Sequence, residues 1–415
     1  MAARFAAEGF RIVSPDEPAD VYVVNTCSVT QVAESKSRKS VRRFARMNPR
    51  ALVVVTGCDV EMAAIMGRSY PEADVVVPNS RKLDAVEYVL DLHPAIREEL
   101  QSDRSAASGE SPTTGASAAS TGRTRAVVKV QDGCDMFCSF CSVPLTRGPI
   151  RSRPLPEILQ DVHEAVAHGH KEVVLTGVLM GAYGRDLGHD APELADVVAA
   201  VAGVDGIERV RLSSIEPTQV SRRLLLAIAE TPKACPHLHI PLQSGDDQVL
   251  KAMRRPYTAS VYLDLCRLAY EMIPDLAITT DVLVGFPGED EEAHGRTMEV
   301  AREARFARMH VFRYSARPGT AAAEMSAQVS DEDKARRAQE MTALATELRR
   351  GFASRHLGSV MQVIAEPSRN PAFLAGYTPN YIRVQFISGG RCPGELVAVR
   401  LERLRGDYVE GDAIG

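Results

Sequence analysis

At 415 residues the chain is long enough for two or three domains with their own cores. Apolar residues make up 45% and charged residues 25%, and the formal net charge of -5 means that the chain as a whole is no electrostatic trap for nucleic acid. No apolar run reaches a membrane span. The longest, Leu194 to Val204, is interrupted by Asp196 and reads as a buried helix, while Met1 to Phe10 carries Arg4 and Glu8 in place of a signal-peptide core. The expected location is the cytoplasm, with no membrane partner. In that reducing setting the eight cysteines are ligands, nucleophiles or buried thiols in preference to disulfides.

Residues 1–98 alternate helix and strand. Ala2 to Glu8 is predicted helical, Asp20 to Asn25 (DVYVVN) a strand, 31 to 47 a basic helix ending before Pro49, and Ala51 to Thr56 (ALVVVT) a second strand. Asp74 to Val77 is a third strand and Ser80 to Leu92 a helix. Unbroken valine runs between helices predict a parallel sheet covered on both faces. Residues 99–124 are rich in Ser, Ala, Gly and Thr and read as a flexible linker that buries too little apolar surface to order itself.

Residues 125–350 form a second α/β series. Candidate strands are Ala126 to Gln131, Glu172 to Thr176, Arg209 to Ser213, His237 to Pro241, Ala277 to Val284 and Met309 to Tyr314, followed by a long charged helix from Ser330 to Arg355. The spacing predicts a partial (β/α)6 barrel in place of a closed eight-stranded one. Residues 351–415 shift to short alternating strands (MQVIAE, NYIRVQF, LVAVRLE, DYVEG) between Gly and Pro turns, the pattern of a small β-barrel binding module. The fold class is therefore α/β with a C-terminal small β-barrel.

The strongest chemical signal is Cys134, Cys138 and Cys141 in QDGCDMFCSFCSVPLTRG. Three buried thiols on a loop is the plain alternative. Zinc wants four ligands, and no fourth cysteine or histidine stands nearby. Three thiolates on one tight loop suit a [4Fe–4S] cluster with one iron open. Further candidates close successive strands: Thr176 and Gly177, then Ser213, Ser214 and Glu216 (RLSSIEP), then Gln243 (HIPLQSG), with Asp281 inside TTDVLVGFPGE. Ligands gather at such strand ends, although each residue alone also fits a turn or a cap. Cys27 and Cys58 each lie just beyond a parallel strand, so they are expected to point into one crevice; two buried thiols is the alternative. Cys235, Cys266 and Cys392 match no motif and read as buried structural thiols.

The spacing of Cys134, Cys138 and Cys141 resembles the radical S-adenosylmethionine (SAM) motif. NTCSVT, VVVTGC, RGPIRSR, LTGVLMGAYG, MRRPYT and VFRYSARPGT then follow the order of the methylthiotransferase family of that superfamily. The resemblance implies a [4Fe–4S] cluster on Cys134, Cys138 and Cys141 whose open iron is chelated by SAM. Phe140 would lie near the adenine of SAM, although plain core packing reads it equally well. Thr176, Gly177, Ser213, Ser214, Glu216, Gln243 and Asp281 would complete the SAM site. A second [4Fe–4S] cluster, which holds or supplies the inserted sulfur, would sit at Cys27 and Cys58. The third family cysteine is missing because the chain opens on a helix where a first strand and a glycine–cysteine turn are expected. Met1 is accordingly read as a mis-assigned start, with roughly 15 to 30 residues upstream; a truncated two-cysteine site that binds its cluster poorly is the alternative.

The implied reaction uses one SAM to methylate a sulfide at the second cluster. A second SAM is cleaved to a 5′-deoxyadenosyl radical, which takes hydrogen from carbon 2 of an adenine so that the methylthio group is captured there. Implied partners are tRNA, an electron donor such as flavodoxin or ferredoxin, and a sulfur donor. LTGVLMGAYG and HVFRYSARPGT look most like the enzymes acting on threonylcarbamoyladenosine at position 37. Alternatives are isopentenyladenosine, an aspartate of a ribosomal protein, or a degenerate RNA-binding member without thiolation. Phosphate contacts are expected from Lys36, Arg38, Lys39, Arg42 and Arg43, from Arg147, Arg151 and Arg153, and from Arg254 and Arg255. The C-terminal barrel (GYTPNYIRVQF) resembles the TRAM domain. Its last 57 residues, with six basic against six acidic, are electrostatically neutral and would hold RNA by stacking on Tyr377, Tyr381 and Phe386.

Overall fold

The computed structural model describes residues 1–28, 31–106 and 124–414. Two compact units emerge: residues 1–122 with 140–148 and 315–323, and residues 123–139 with 149–314 and 324–415.

The first unit is built on a parallel sheet in the order β1 (Val21–Thr26), β2 (Leu52–Gly57), β3 (Val75–Val76). Alternate valines of β2 feed two separate cores. Val54 packs with Phe5, Val75, Val86 and Val89 on one face, and Val53 and Val55 pack with Val24, Val41 and Val60 on the other. The sheet is thus covered on both sides, which is why its strands carry no polar alternation. The helix Gln31–Met47 buries Val41 and lays Phe44 on Tyr22, with ring centroids 4.7 Å apart. The predicted helix 80–92 splits into one tight turn, Asn79–Asp84, and a helix Ala85–Leu92. Another helix, Pro94–Ala106, occupies the first residues of the segment expected as linker; residues 107–123 lie outside the described residues.

In the second unit, among the described residues, six parallel strands follow one another: β4 (Arg125–Lys129), β7 (Glu172–Thr176), β8 (Arg209–Leu212), β9 (His237–His239), β10 (Ala277–Val284) and β11 (Arg308–Arg313). The parallel bridges Val210↔Ala234 and Ser214↔His239 join β8 to β9, completing a partial barrel. A short ribbon of β5 (Gln131–Asp132) and β6 (Arg151–Ser152) flanks the cysteine loop. Helices between the strands bury Ile158, Val198, Leu224, Tyr262 and Ala301 in one core. The helices Arg222–Glu230, Ala259–Met272, Glu291–Ala304 and Asp331–Ser354 start on side-chain caps at Ser221, Thr258, Asp290 and Ser330, which answer otherwise orphaned N–H groups.

The C-terminal strands, β12 (Val360–Ile364), β13 (Glu366–Pro367), β14 (Phe373–Tyr377), β15 (Arg383–Ile387), β16 (Leu396–Arg405) and β17 (Tyr408–Ala413), form a sheet ordered β12-β16-β17-β15-β14-β13. The sheet curls into a small barrel, and Gly376 of β14 sits so close to Ile364 O of β12 that a side chain there would collide with it. The first strand after the turn, β14, has no counterpart among the sequence-predicted strands, because its FLAGY pattern is too rich in small residues to alternate visibly.

Buried charge ties this barrel to the strand starts of the larger one. Arg211 donates to Glu172 at 2.7 Å, to Pro379 O at 2.8 Å and to Thr378 O; Arg209 donates to Gln362 O at 2.6 Å and Tyr377 O at 3.0 Å. Arg125 pairs with Glu366 at 3.1 Å. These contacts lie at the N-terminal ends of β4, β7 and β8, opposite the ends that carry the cysteine loop.

Candidate active site

The loop after β5 is held by a residue that the motif reading passed over. Gln131 is fully buried. Its Nε2 donates to Asp132 O at 2.6 Å and Gly133 O at 2.9 Å, and its Oε1 accepts from Val178 N at 3.0 Å and Leu179 N at 2.7 Å. One amide thus staples the start of the cysteine loop to the turn after β7. Gly177, in that turn, packs directly on Gln131.

Cys134 and Cys138 belong to the second unit, and Cys141 to the segment 140–148 of the first. All three are half-buried and unbridged, and Phe140 is half-buried beside them in sequence. Each sulfur receives an N–H: Met136 N to Cys134 at 3.5 Å, Arg255 Nη1 to Cys138 at 3.3 Å, and Val143 N to Cys141 at 3.4 Å. Burial pushes the Cys134 thiol up, against the Met136 donation. Among the described residues no three His, Cys, Asp or Glu side chains are grouped so as to hold a metal ion as they stand. The donor set nevertheless suits an iron–sulfur cluster: three half-accessible thiols on one loop, each with a donor that would stabilise bridging or ligating sulfur.

Arg255 is 6% exposed. It clasps Glu216 with both terminal nitrogens and donates through Nε to Tyr257 Oη at 3.1 Å. Burial works against its charge, but Tyr257, Glu216 and Cys138 together hold its pKa above the ordinary arginine value. The expectation of a phosphate contact at Arg255 is therefore corrected: the guanidinium is spent inside the fold. Thr176 and Ser213 meet at the ends of β7 and β8, with Ser213 Oγ donating to Thr176 Oγ1 at 3.3 Å, and Ser214 bridges to β9. Gln243 adopts a left-handed backbone, φ 63°, and pairs with Val282 of β10. Asp281 is half-buried between two histidines, His239 Nε2 at 3.3 Å and His310 Nδ1 at 3.6 Å. Sequence reading missed that pair; the signal was the alternation H-L-H in β9, which puts His239 beside Thr279, two residues before Asp281, while the next strand sets His310 opposite Asp281 itself. Burial lowers the His310 pKa, against the pull of Asp281.

In the first unit, the register Thr26↔Gly57 places Cys27 and Cys58 directly after neighbouring strand ends. Cys27 is half-buried, its N–H donating to Ser37 Oγ at 3.1 Å, and Cys58 is buried at the start of the helix Cys58–Ile65. Gly57 has φ 103°, and a side chain there would collide with Thr26 O. Among the described residues Asp59, fully buried, follows Cys58 and is met by Arg38 Nη2 at 3.3 Å.

The basic residues divide. Lys36, Lys39, Arg42 and Arg43 are exposed, although Arg42 pairs with Glu72 at 3.1 Å and Arg43 with Asp16 at 2.6 Å. Arg38 is turned inward onto Asp59 and the Tyr70 ring, 4.5 Å from its centroid. Arg147 is half-buried and Arg151 exposed. Arg153 is a brace, donating to Lys129 O at 2.9 Å and Asp161 at 2.6 Å, so its expected role toward RNA is corrected. Tyr377 and Tyr381 require the same correction. They stack on each other at 4.7 Å, Tyr381 stacks on His237 at 4.4 Å, and Arg125 and Arg211 cover their faces. Phe386 is buried in the barrel core. Cys235 and Cys266 are buried, their thiols pushed up by burial to about 11 and about 12, whereas Cys392 is exposed, contrary to expectation.

Residues 128–301 match the Radical SAM superfamily and residues 1–78 the Uncharacterized protein family UPF0004. The chain is 35% identical to the threonylcarbamoyladenosine tRNA methylthiotransferase MtaB of Bacillus subtilis, over 99% of this chain and 91% of that protein. MtaB of Thermotoga maritima is 34% identical over 99% and 94% respectively. A tRNA-2-methylthio-N(6)-dimethylallyladenosine synthase of Desulforamulus reducens is 33% identical over 98% and 90%. In fold, it resembles the radical SAM methyltransferase TsrM of Kitasatospora setae, with a TM-score of 0.51 at 12% identity over 75% of this chain and 64% of that one. With a cysteine loop of the right donor chemistry at the strand ends of a partial barrel, and relatives of this identity along nearly its whole length, the chain belongs to the methylthiotransferase family of radical SAM enzymes.

Proposed function

We propose that this enzyme adds a methylthio group to carbon 2 of N6-threonylcarbamoyladenosine at position 37 of tRNA. The observation that carries the reading is the identity of 35% and 34% to two enzymes named for that nucleoside, each over 99% of the chain. Cys134, Cys138 and Cys141 would hold a [4Fe–4S] cluster and SAM, which when bound supply a radical able to break an unactivated C–H bond. Gln131 fixes the loop, Arg255 braces Cys138, and Thr176, Ser213, Glu216 and Asp281 present polar groups from neighbouring strands for SAM and the base. Alignment and exclusion of water are the protein's share, because the cofactor performs the hard chemistry. Position 37 lies in an anticodon loop, where a base is splayed out without melting a duplex.

Cys27 and Cys58 would ligate a second cluster that carries the sulfur. Their adjacency through the Thr26↔Gly57 register supports this. An electron donor such as flavodoxin or ferredoxin and a sulfur donor complete the proposal, in a cytoplasmic setting compatible with the absence, among the described residues, of any helix long and apolar enough to cross a membrane.

The second reading is dimethylallyladenosine, favoured by the 33% identity to that group. Nucleoside analysis of total tRNA from a deletion strain separates them. Loss of the methylthio form of threonylcarbamoyladenosine supports the proposal; loss of the isopentenyl form alone moves the enzyme to the second reading. No change in either nucleoside overturns both and points to a ribosomal protein or a degenerate member.

A further inference from the structure

A pocket of about 360 Å³ opens in the first unit between the helix Gln31–Met47 and the segment 315–323. Glu34, Arg38, Lys39, Arg42, Arg68 and Arg317 line it. Five cations thus face one cavity. Three carboxylates answer them: Glu34 accepts from Arg68 at 2.8 Å and Arg317 Nη1 at 3.0 Å, Asp59 faces Arg38 Nη2 at 3.3 Å, and Glu72 accepts from Arg42 at 3.1 Å. Two positive charges remain. Arg317 is 6% exposed, and its Nη2 is buried with no hydrogen-bond partner; Arg38 Nε and Nη2 are buried without one as well, their nearest carboxylate oxygens standing off at 3.8 Å on Glu34 and 3.3 Å on Asp59. An unanswered guanidinium N–H inside a fold is costly, and nearly all such groups find an acceptor.

We propose that this pocket binds a phosphate-type oxyanion, whose several acceptor oxygens meet the unanswered N–H groups of Arg317 and Arg38 while its charge meets the excess of cations. Guanidinium forks match that geometry, and the volume is that of a small-ligand site. The helix that supplies Arg38, Lys39 and Arg42 also braces Cys27 through Ser37, so the pocket belongs to the cysteine-bearing end of the sheet. The oxyanion comes either from an RNA backbone or from free phosphate. The RNA source rests on the function proposed above, and the free-anion source does not.

The test uses the full-length, cluster-loaded enzyme. Inorganic phosphate is titrated by calorimetry at constant ionic strength against chloride, and tRNA affinity is measured across a salt series. Wild type should bind phosphate in preference to chloride, and Arg317→Gln should weaken that binding about tenfold, the size of one charge-assisted contact. Glu34→Gln removes the competing carboxylate and should tighten it, a gain that misfolding does not mimic. If Arg317→Gln also lowers tRNA affinity and reduces the salt slope by about one, the oxyanion is an RNA phosphate. If tRNA binding is unchanged, it is a free anion. Absence of phosphate-specific binding, or a Glu34→Gln variant that binds phosphate no better than wild type, overturns the proposal. A wrong methylthiolation reading would show instead as unmodified substrate with phosphate binding intact.

Discussion

Arg255 Nη1 donates to Cys138 Sγ across 3.3 Å while the same guanidinium clasps Glu216, so one buried cation couples a thiol of the cysteine loop to a carboxylate just beyond β8. A hydrogen bond to a ligating sulfur withdraws charge from it and raises a cluster's reduction potential. Arg255→Gln should therefore shift the potential of the cluster negative, make it harder for an electron donor to reduce, and slow SAM cleavage about tenfold when that reduction is limiting, within the range seen when outer-shell partners are removed. Redox titration followed by electron paramagnetic resonance reads the potential directly. An unchanged potential would reduce Arg255 to a packing residue.

The two cysteine sets should separate in function. Cys138→Ala leaves the loop with two ligands and should abolish 5′-deoxyadenosine formation. Cys27→Ala, in the first unit, should spare SAM cleavage and eliminate methylthiolation. Both products are quantified in one chromatographic assay of the purified variants, and simultaneous loss of both activities in Cys27→Ala with the first cluster intact would contradict this division of labour.

Tyr381 should matter to stability and not to RNA affinity. Its ring is sandwiched by His237 and Tyr377 and capped by Arg211, so Tyr381→Ala opens a gap that costs about 2 kcal/mol or more. The expected outcome is a lower Tm with tRNA affinity of the folded protein unchanged. A selective loss of tRNA binding would restore the stacking role.

That tyrosine shows where sequence reading stops. The valine strands β1 and β2, the strand ends that carry Thr176, Ser213 and Gln243, and the cysteine spacing were legible because each is a local pattern with a known period. Tyr377, Tyr381 and Arg153 looked like surface recognition residues because nothing nearby in sequence occupies them. Their partners, His237, Arg211 and Asp161, come from other elements. Gln131 was overlooked for the same reason: the two N–H groups that donate to its Oε1 lie on a turn 47 and 48 residues away. Charges on apolar strands, as in R-V-R-L, announce burial only when the opposing carboxylate is known.

Glu172 is that carboxylate for Arg211 and Arg209. Burial tends to raise its pKa, but Arg211, Arg209 and Arg125 outweigh it and hold the carboxyl below the ordinary glutamate value of 4.5. A depressed folded pKa gives stability that is complete above the unfolded value and is lost as pH falls through the folded one. Glu172→Gln strands two buried arginines and should cost about 3 to 5 kcal/mol near neutrality. The gap between wild type and variant should stay constant down to about pH 5 and close at lower pH. Urea unfolding of both proteins across that range measures it; a gap independent of pH would mean that the charge of Glu172 is not what holds the two barrels.

The smallest change with the largest expected effect on the first unit is Gly57→Ala. Gly57 ends β2 with φ 103°, a conformation that L side chains rarely adopt, and an added Cβ would run into Thr26 O and approach Asn25 Oδ1 within 2.7 Å. Neither neighbour gives way easily, because Asn25 and Thr26 are the last paired residues of β1 and Thr26 Oγ1 donates to Thr56 O at 2.6 Å. The two strand ends must therefore part, and the residues that follow them, Cys27 and Cys58, part with them. A strained backbone of this kind costs of order 1 to 3 kcal/mol, which the many contacts of the sheet absorb without unfolding it. Cys134 and Cys138 follow β5, in a different sheet and in the second unit, and should keep their places. The variant should thus keep SAM cleavage, while its iron and sulfide content falls toward half and methylthiolation disappears. Retention of full iron content and of methylthiolated product would show that the spacing of Cys27 and Cys58, set by this glycine, is not what the sulfur-carrying site depends on.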